Sequence, residues 1–186
     1  HRVTLGEPPR GFWLPRCAYA EGIGIEEILS ESGVVFTVVR GDSIERADPQ
    51  PRFGARSPLM GRAAPVVFLG ADRELSSQLR GPVGADHQSW AKGVVGELES
   101  RALEAGAGME HPPLFVGVVE LVDVAGEPGW LEGVVQLLRE LTARDGALQL
   151  VTPSDALRQL TRVERARPAT SFGEAHEEGE SWIGRE

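Results

Sequence analysis

Short apolar runs alternate with amphipathic segments along most of this 186-residue chain. The runs are too continuous for strands with one exposed face, and they are typical of strands buried on both faces of a parallel sheet. The predicted strands are Phe12–Leu14, Val34–Val39, Val66–Leu69, Leu114–Glu120 and Leu148–Val151. Because helical patterns separate these strands, the sequence predicts an α/β fold with a mainly parallel sheet, either a barrel or an open sheet.

The first predicted helix covers Glu21–Ser32 and ends at Gly33, since glycine readily adopts the left-handed conformation that closes a helix. Its apolar side is formed by Ile25, Ile28 and Leu29, and its solvent side by Glu26, Glu27 and Glu31. Further helices are predicted over Ser89–Ala105, over Gly129–Arg144 and from Thr152 onward. The segment Asp42–Arg62 is rich in Pro, Gly and Arg and is predicted to be an irregular loop.

Composition divides the chain into two parts. Residues 1–160 are predicted to form the α/β domain, whereas residues 161–186 form a polar, acidic tail with the composition of a disordered segment. This tail nevertheless carries two large apolar residues, Phe172 and Trp182. They indicate either that the tail docks on the domain or that it stacks on a sugar ring.

Charge and cysteine content exclude several classes of function. The net charge of −9 argues against binding to nucleic acid, because phosphates demand a basic surface. No apolar run approaches the roughly 20 residues that span a bilayer. Cys17 is the only cysteine, so the sequence predicts no internal disulfide and favours a cytoplasmic setting. The histidines lack metal-ligand spacing, and neither a metal nor another cofactor is predicted.

The segment Gly11–Tyr19 reads Gly-Phe-Trp-Leu-Pro-Arg-Cys-Ala-Tyr. It resembles the Trp-Leu-Pro-Glu-Cys-Ala-Tyr motif of glycoside hydrolase family 57, especially its bacterial 1,4-α-glucan branching enzymes. His111–Glu132, Leu148–Ser154 and Thr170–Ile183 resemble later segments of that family in the same order. The resemblance implies a (β/α)7-type barrel of the glycoside hydrolase/deacetylase kind, partial or distorted because the family's first strands have no counterpart here. It also implies an α-glucan as substrate or ligand.

Retaining enzymes of that family need two carboxyl groups, a nucleophile and an acid/base. The resemblance puts Arg16 at the nucleophile position and Glu120 at the acid/base position. A guanidinium cannot form a glycosyl–enzyme bond, so the expected chemistry is impaired. If both residues end parallel strands of one sheet, their side chains should converge. Asp123 is an alternative partner of Glu120, but its spacing on a strand would place it on the opposite face.

Two aromatic residues in the first motif, Trp13 and Tyr19, are candidates for stacking on sugar rings, with core packing as the alternative. Three functions therefore stay open at this stage. The chain is a branching-enzyme-like protein with impaired catalysis, a non-catalytic homologue that binds α-glucan or a protein partner, or a deacetylase-like relative. The last function would require a metal-binding triad that the sequence does not provide.

Overall fold

A computed structural model of the chain describes residues 8–106, 108–143, 148–160 and 162–171. The chain divides into two compact units. The first unit comprises residues 1–71 and 163–186, and the second comprises residues 72–162. Within the described residues, no helix is long and apolar enough to cross a membrane.

A five-stranded sheet forms the centre of the first unit, with the strand order β1-β2-β4-β3-β5. The strands are β1 (Gly11–Trp13), β2 (Phe36–Arg40), β3 (Leu59–Met60), β4 (Val67–Ala71) and β5 (Glu164–Arg165). Strands β1, β2 and β4 are parallel to one another, as are β3 and β5, and only the β3–β4 pair is antiparallel. The predicted α/β class with a mainly parallel sheet is therefore confirmed.

Seven α-helices occur in the described residues: α1 (Ile25–Glu31), α2 (Gly41–Glu45), α3 (Arg73–Arg80), α4 (His87–Ala105), α5 (Leu121–Val124), α6 (Trp130–Ala143) and α7 (Pro153–Arg158). Two short 3₁₀ turns cover Pro15–Cys17 and Gly54–Arg56. Helix α1 ends as the sequence predicts, because Gly33 follows its last turn with a φ of +77°. The predicted helices that correspond to α4, α6 and α7 are also confirmed.

The core of the first unit lies against β2 and β4. Phe68 and Val39 are fully buried there, together with Ile44 from α2 and Leu59 from β3. Thr37 is also buried, and its hydroxyl donates a hydrogen bond of 2.7 Å to the backbone oxygen of Phe12. This bond supplements the backbone pairing of β1 and β2, so a strand of only three residues is held firmly at the sheet edge.

The second unit is built on the packing of α4 against α6. Its buried cluster consists of Leu75, Ala91, Val94, Val95, Leu98 and Leu137. The indole nitrogen of Trp130 donates a hydrogen bond of 2.7 Å to the backbone oxygen of Leu79. The Arg101 side chain is mostly buried, forms an ion pair with Asp72 and lies 5.0 Å from the ring centre of Phe115.

Two strand predictions are wrong. Leu114–Glu120 forms no strand and has a single bridge residue, Val116, while two of its backbone groups bond to Asp72 and to Ser76 of α3. Asp72 N donates to Val116 O (2.8 Å), and Val118 N donates to the Ser76 hydroxyl (3.0 Å). Leu148–Val151 is irregular throughout, and Leu150 is more than half exposed.

The prediction of an irregular loop over Asp42–Arg62 is also wrong. This segment contains most of α2, the second 3₁₀ turn and strand β3. Its elements are only two to five residues long, which is too short to produce a periodic pattern. Their apolar residues Ile44 and Leu59 are fully buried in the core of the first unit. Tertiary packing therefore fixes these short elements, although the composition of the segment resembles that of a loop.

Candidate strand-end site

The candidate site begins at the turn that follows β1. The 3₁₀ turn Pro15–Cys17 is closed by hydrogen bonds from Cys17 N to Leu14 O (2.8 Å) and from Ala18 N to Pro15 O (3.0 Å). Arg16 and Cys17 both have positive φ angles, 52° and 54°. Such angles are uncommon for residues other than glycine and cost of order 1–3 kcal/mol each unless the surroundings enforce them. Strain of this kind tends to occur at functional sites.

The turn lies at the edge of the sheet where parallel α/β proteins place their sites. Trp13, the last residue of β1, is in register with Val38, and β2 then continues to Arg40 opposite Ala71 of β4. The carboxyl ends of β1, β2 and β4 therefore meet at one edge. Arg16 is exposed just beyond the end of β1.

Tyr19 anchors the far side of the turn. It is 4% exposed and packs edge-on against Phe68, with ring centres 5.3 Å apart. Its backbone forms a two-bond bridge with Ser171, through Tyr19 N to Ser171 O (3.0 Å) and Ser171 N to Tyr19 O (2.7 Å). The Tyr19 ring is consequently part of the core and offers no face for a sugar.

A buried carboxylate connects Tyr19 to a neighbouring loop. Glu26 of α1 is 3% exposed, and its Oε1 accepts a hydrogen bond of 3.0 Å from the Tyr19 hydroxyl. Its Oε2 accepts bonds from the backbone nitrogens of Ala63 (2.8 Å) and Ala64 (3.1 Å). The prediction that Glu26 faces solvent is therefore wrong, because these three donors compensate for its burial.

The environment of Tyr19 raises the pKa of its hydroxyl far above the usual value near 10. Burial is the main cause, followed by the charge of Glu26 and the hydrogen bond to it. The folded state holds this proton more tightly than the unfolded state. The contribution of Tyr19 to the free energy of unfolding is therefore fully present below about pH 10. That contribution declines as the pH rises from there toward the pKa in the folded state.

We expect the free energy of unfolding to decrease above about pH 10, with Tyr19 contributing up to ~1.4 kcal/mol per pH unit. Urea unfolding across the alkaline range measures the slope, and Tyr19→Phe should lack this part of it. Because Tyr19 is the only tyrosine, phenolate absorbance reports on it directly and should appear together with unfolding. Phenolate formation near pH 10 in the folded protein would contradict the prediction.

A charged cluster at the end of β2 was not anticipated from the sequence. Asp42 pairs with Arg40 and with Arg46, at 2.9 Å in each case. Partial burial pushes the pKa of Asp42 upward, but the hydrogen bonds and charges of Arg40 and Arg46 outweigh it and hold the pKa below its usual range. The sequence signal for this cluster was the oppositely charged pair Arg40 and Asp42, which follows the β-forming run Val34–Val39 directly.

Glu120 lies in the second unit, immediately before α5. It is partly buried, and its backbone oxygen accepts a hydrogen bond of 2.9 Å from Asp123 N. Asp123 is in the first turn of the short helix α5 and is exposed. The expectation that these two carboxylates lie on opposite faces of a strand is therefore wrong, because the chain turns into a helix at this point.

The remaining candidates differ in how far the structure describes them. Trp13 is 48% exposed, while Phe172 and Trp182 lie outside the described residues. That Arg16 and Glu120 converge stays a prediction. In the described ranges, no group of three or more His, Cys, Asp or Glu residues could hold a metal ion.

The fold defines an α/β protein with a mainly parallel sheet, and solved structures share it. The α-amylase AmyC from Thermotoga maritima has a similar structure, with a TM-score of 0.81, 19% identity and coverage of 98% of this chain. A GH57-type branching enzyme from Pyrococcus horikoshii (TM-score 0.70, 16% identity) and a GH57 branching enzyme from Thermococcus kodakaraensis (0.71, 16%) are similar over 91% of this chain.

These similarities establish the fold. The chain spans less than half of each enzyme, namely 46% of AmyC, 41% of the Pyrococcus enzyme and 43% of the Thermococcus enzyme. No protein-family model matches the sequence, and no curated protein matches it significantly. The fold expected from the Trp-Leu-Pro motif is thus supported by structure at low sequence identity.

Proposed function

We propose that this chain is a carbohydrate-active protein that binds α-glucan and in which Arg16 has replaced the nucleophile of a retaining enzyme. The observation that carries the proposal is the Pro15–Cys17 turn, with two left-handed non-glycine residues at the carboxyl end of a parallel strand. The structural similarity to an α-amylase and to branching enzymes supports glucan as the ligand class.

The proposed chemical defect follows from the side chain at position 16. A retaining enzyme forms a covalent glycosyl intermediate on a carboxylate and uses a second carboxyl group as acid/base. Arg16 carries a guanidinium, which is not a nucleophile. Glu120 retains the acid/base role in this proposal, but protonating the leaving group alone does not supply the covalent route.

Trp13 is the proposed platform for a sugar ring. Trp13 is 48% exposed on the strand that leads into the turn, and aromatic rings stack on the apolar faces of sugars. Tyr19 is excluded from this role by its burial and is a structural residue instead. Phe172 and Trp182 stay in the proposal as further contacts from the tail.

Calorimetric titration with maltoheptaose tests the proposal. We expect Trp13→Ala to weaken binding about tenfold, since losing an aromatic contact removes on the order of 1 kcal/mol beyond the area buried. Phe12→Ala is the matched control, because Phe12 is 49% exposed on the same strand but points to the opposite face. Equal weakening by both variants would contradict a specific platform at Trp13.

A homologue that binds a protein partner is the second candidate function. The observation that favours it is the exposure of both Phe12 and Trp13 on the edge strand β1, because exposed apolar groups on a sheet edge suit protein recognition. Failure of the wild-type chain to bind maltoheptaose or amylose in the same titration would contradict glucan binding and support this candidate.

A further inference from the structure

The arginines at the carboxyl edge of β1 and β2 differ in whether a described carboxylate pairs with them. Arg40 and Arg46 share the carboxylate of Asp42. Arg16, by contrast, has no ion pair or hydrogen bond from its side chain in the part of the chain that the structure describes. An exposed guanidinium that pairs with no carboxylate of the described ranges therefore lies at this edge.

The fold gives no packing reason for an arginine at this position. The side chain is exposed, and the φ angle of 52° suits glycine better than any residue with a Cβ atom. The turn is instead specified by its neighbours, since Cys17 is 3% exposed and Tyr19 is anchored to Glu26 and Ser171. The anchored turn thus exposes a charged side chain that contributes nothing to the core.

The chemistry of the guanidinium points to an oxyanion. Its planar donors match the oxygens of a phosphate or a carboxylate in a two-bond arrangement. Trp13 lies three residues before Arg16, so their Cα atoms are at most about 11 Å apart. A sugar ring stacked on the indole and the long arginine side chain are together long enough to cover that distance.

We propose that Arg16 and Trp13 form a subsite for a glucan residue that carries an oxyanion substituent, either a phosphate monoester or a carboxylate. This inference rests on the proposed function, because it takes glucan binding at Trp13 as its starting point. The chain has a net charge of −9, which disfavours anionic ligands in general. Selection of an anionic sugar therefore requires a local cation, and Arg16 supplies it.

The test compares three ligands of equal length by calorimetric titration of the full chain. They are neutral maltoheptaose, maltoheptaose with one phosphate monoester, and maltoheptaose with one glucose oxidised to glucuronate. We expect the wild-type chain to bind at least one anionic ligand about tenfold more tightly than the neutral one, as for a charge-assisted hydrogen-bonded pair. The two anionic ligands distinguish phosphate from carboxylate.

Arg16→Ala should abolish this preference, so that anionic and neutral ligands bind with equal affinity, whereas Arg16→Lys should keep part of it. Arg10→Ala is the matched control, because Arg10 is exposed at the other end of β1 and its loss changes the net charge equally. Added salt should reduce the preference wherever the cation at position 16 is kept, that is in the wild-type chain and in Arg10→Ala. Circular dichroism of each variant verifies folding.

Three results would overturn the inference. Equal affinity of the wild-type chain for all three ligands would contradict the subsite but not the proposed glucan binding. Equal loss of the preference in Arg16→Ala and Arg10→Ala would show a general charge effect. Absence of binding to every ligand would overturn the proposed function, and the subsite with it.

Discussion

Incubated with amylose, the wild-type chain is expected to form no α-1,6 branches and to release no reducing sugar above background. The proposed nucleophile position holds Arg16, and groups that act as a catalytic unit do not compensate for one another. The expected loss is about 10⁴-fold or more relative to a retaining enzyme with both carboxyl groups. Debranching followed by chain-length analysis measures branch formation, and a reducing-sugar assay measures hydrolysis.

Arg16→Glu and Arg16→Gln form the informative pair of variants for this prediction. Both remove the positive charge and have similar size, but only glutamate supplies a carboxylate nucleophile. We expect Arg16→Glu to exceed Arg16→Gln in activity on amylose. Equal activity of the two variants would show that position 16 is not the nucleophile position. Branch formation by the wild-type chain at the rate of a complete enzyme would contradict the proposed impairment itself.

The parts of the fold that could be predicted from sequence are those in which a pattern and a terminating residue agree. Helix α1 combines apolar residues at helical spacing with Gly33 at its end, and both features are present in the structure. Strands β2 and β4 are continuous apolar runs, and each has neighbours on both sides in the sheet. Local preference and tertiary packing point to the same structure in these elements.

The wrong strand prediction over Leu114–Glu120 has a physical cause, which is that hydrophobicity reports burial but not hydrogen-bond partners. Leu114–Glu120 does contain a buried residue, Val118. Its backbone nitrogen, however, bonds to the Ser76 side chain instead of a neighbouring strand. Helix α3 was missed although Asp72 caps it by accepting a bond of 2.9 Å from Leu75 N. An aspartate at a helix start was a usable signal.

The candidate site also has features that could be predicted from sequence and features that could not. The resemblance of the first motif points to Arg16, and the structure has this residue exposed just beyond the end of β1. The strained backbone of Arg16 and Cys17 could not be foreseen, since neither is a glycine. The burial of Glu26 was hidden as well, because its partners Ala63 and Ala64 are backbone groups 37 and 38 residues away.

The second large effect is expected from removing the Glu26 carboxylate. Glu26→Ala should lower the free energy of unfolding by about 3–5 kcal/mol, because three donors then lose their acceptor and each unsatisfied buried group costs about 1–3 kcal/mol. This is a large share of the roughly 5–15 kcal/mol that stabilises a typical domain. Urea unfolding monitored by circular dichroism measures the change.

Two further variants separate the buried network from a general effect of charge on helix α1. Glu26→Gln keeps one oxygen for Ala63 N and Ala64 N and can place its amide toward the Tyr19 hydroxyl, which also accepts a bond. This variant should therefore lower the free energy of unfolding by only about 1 kcal/mol. Glu27→Gln removes the same charge from the adjacent exposed residue and should change stability by less than about 0.5 kcal/mol. If Glu26→Ala were as stable as Glu27→Gln, Glu26 would not anchor the turn that carries Arg16, and the strained backbone there would need another support.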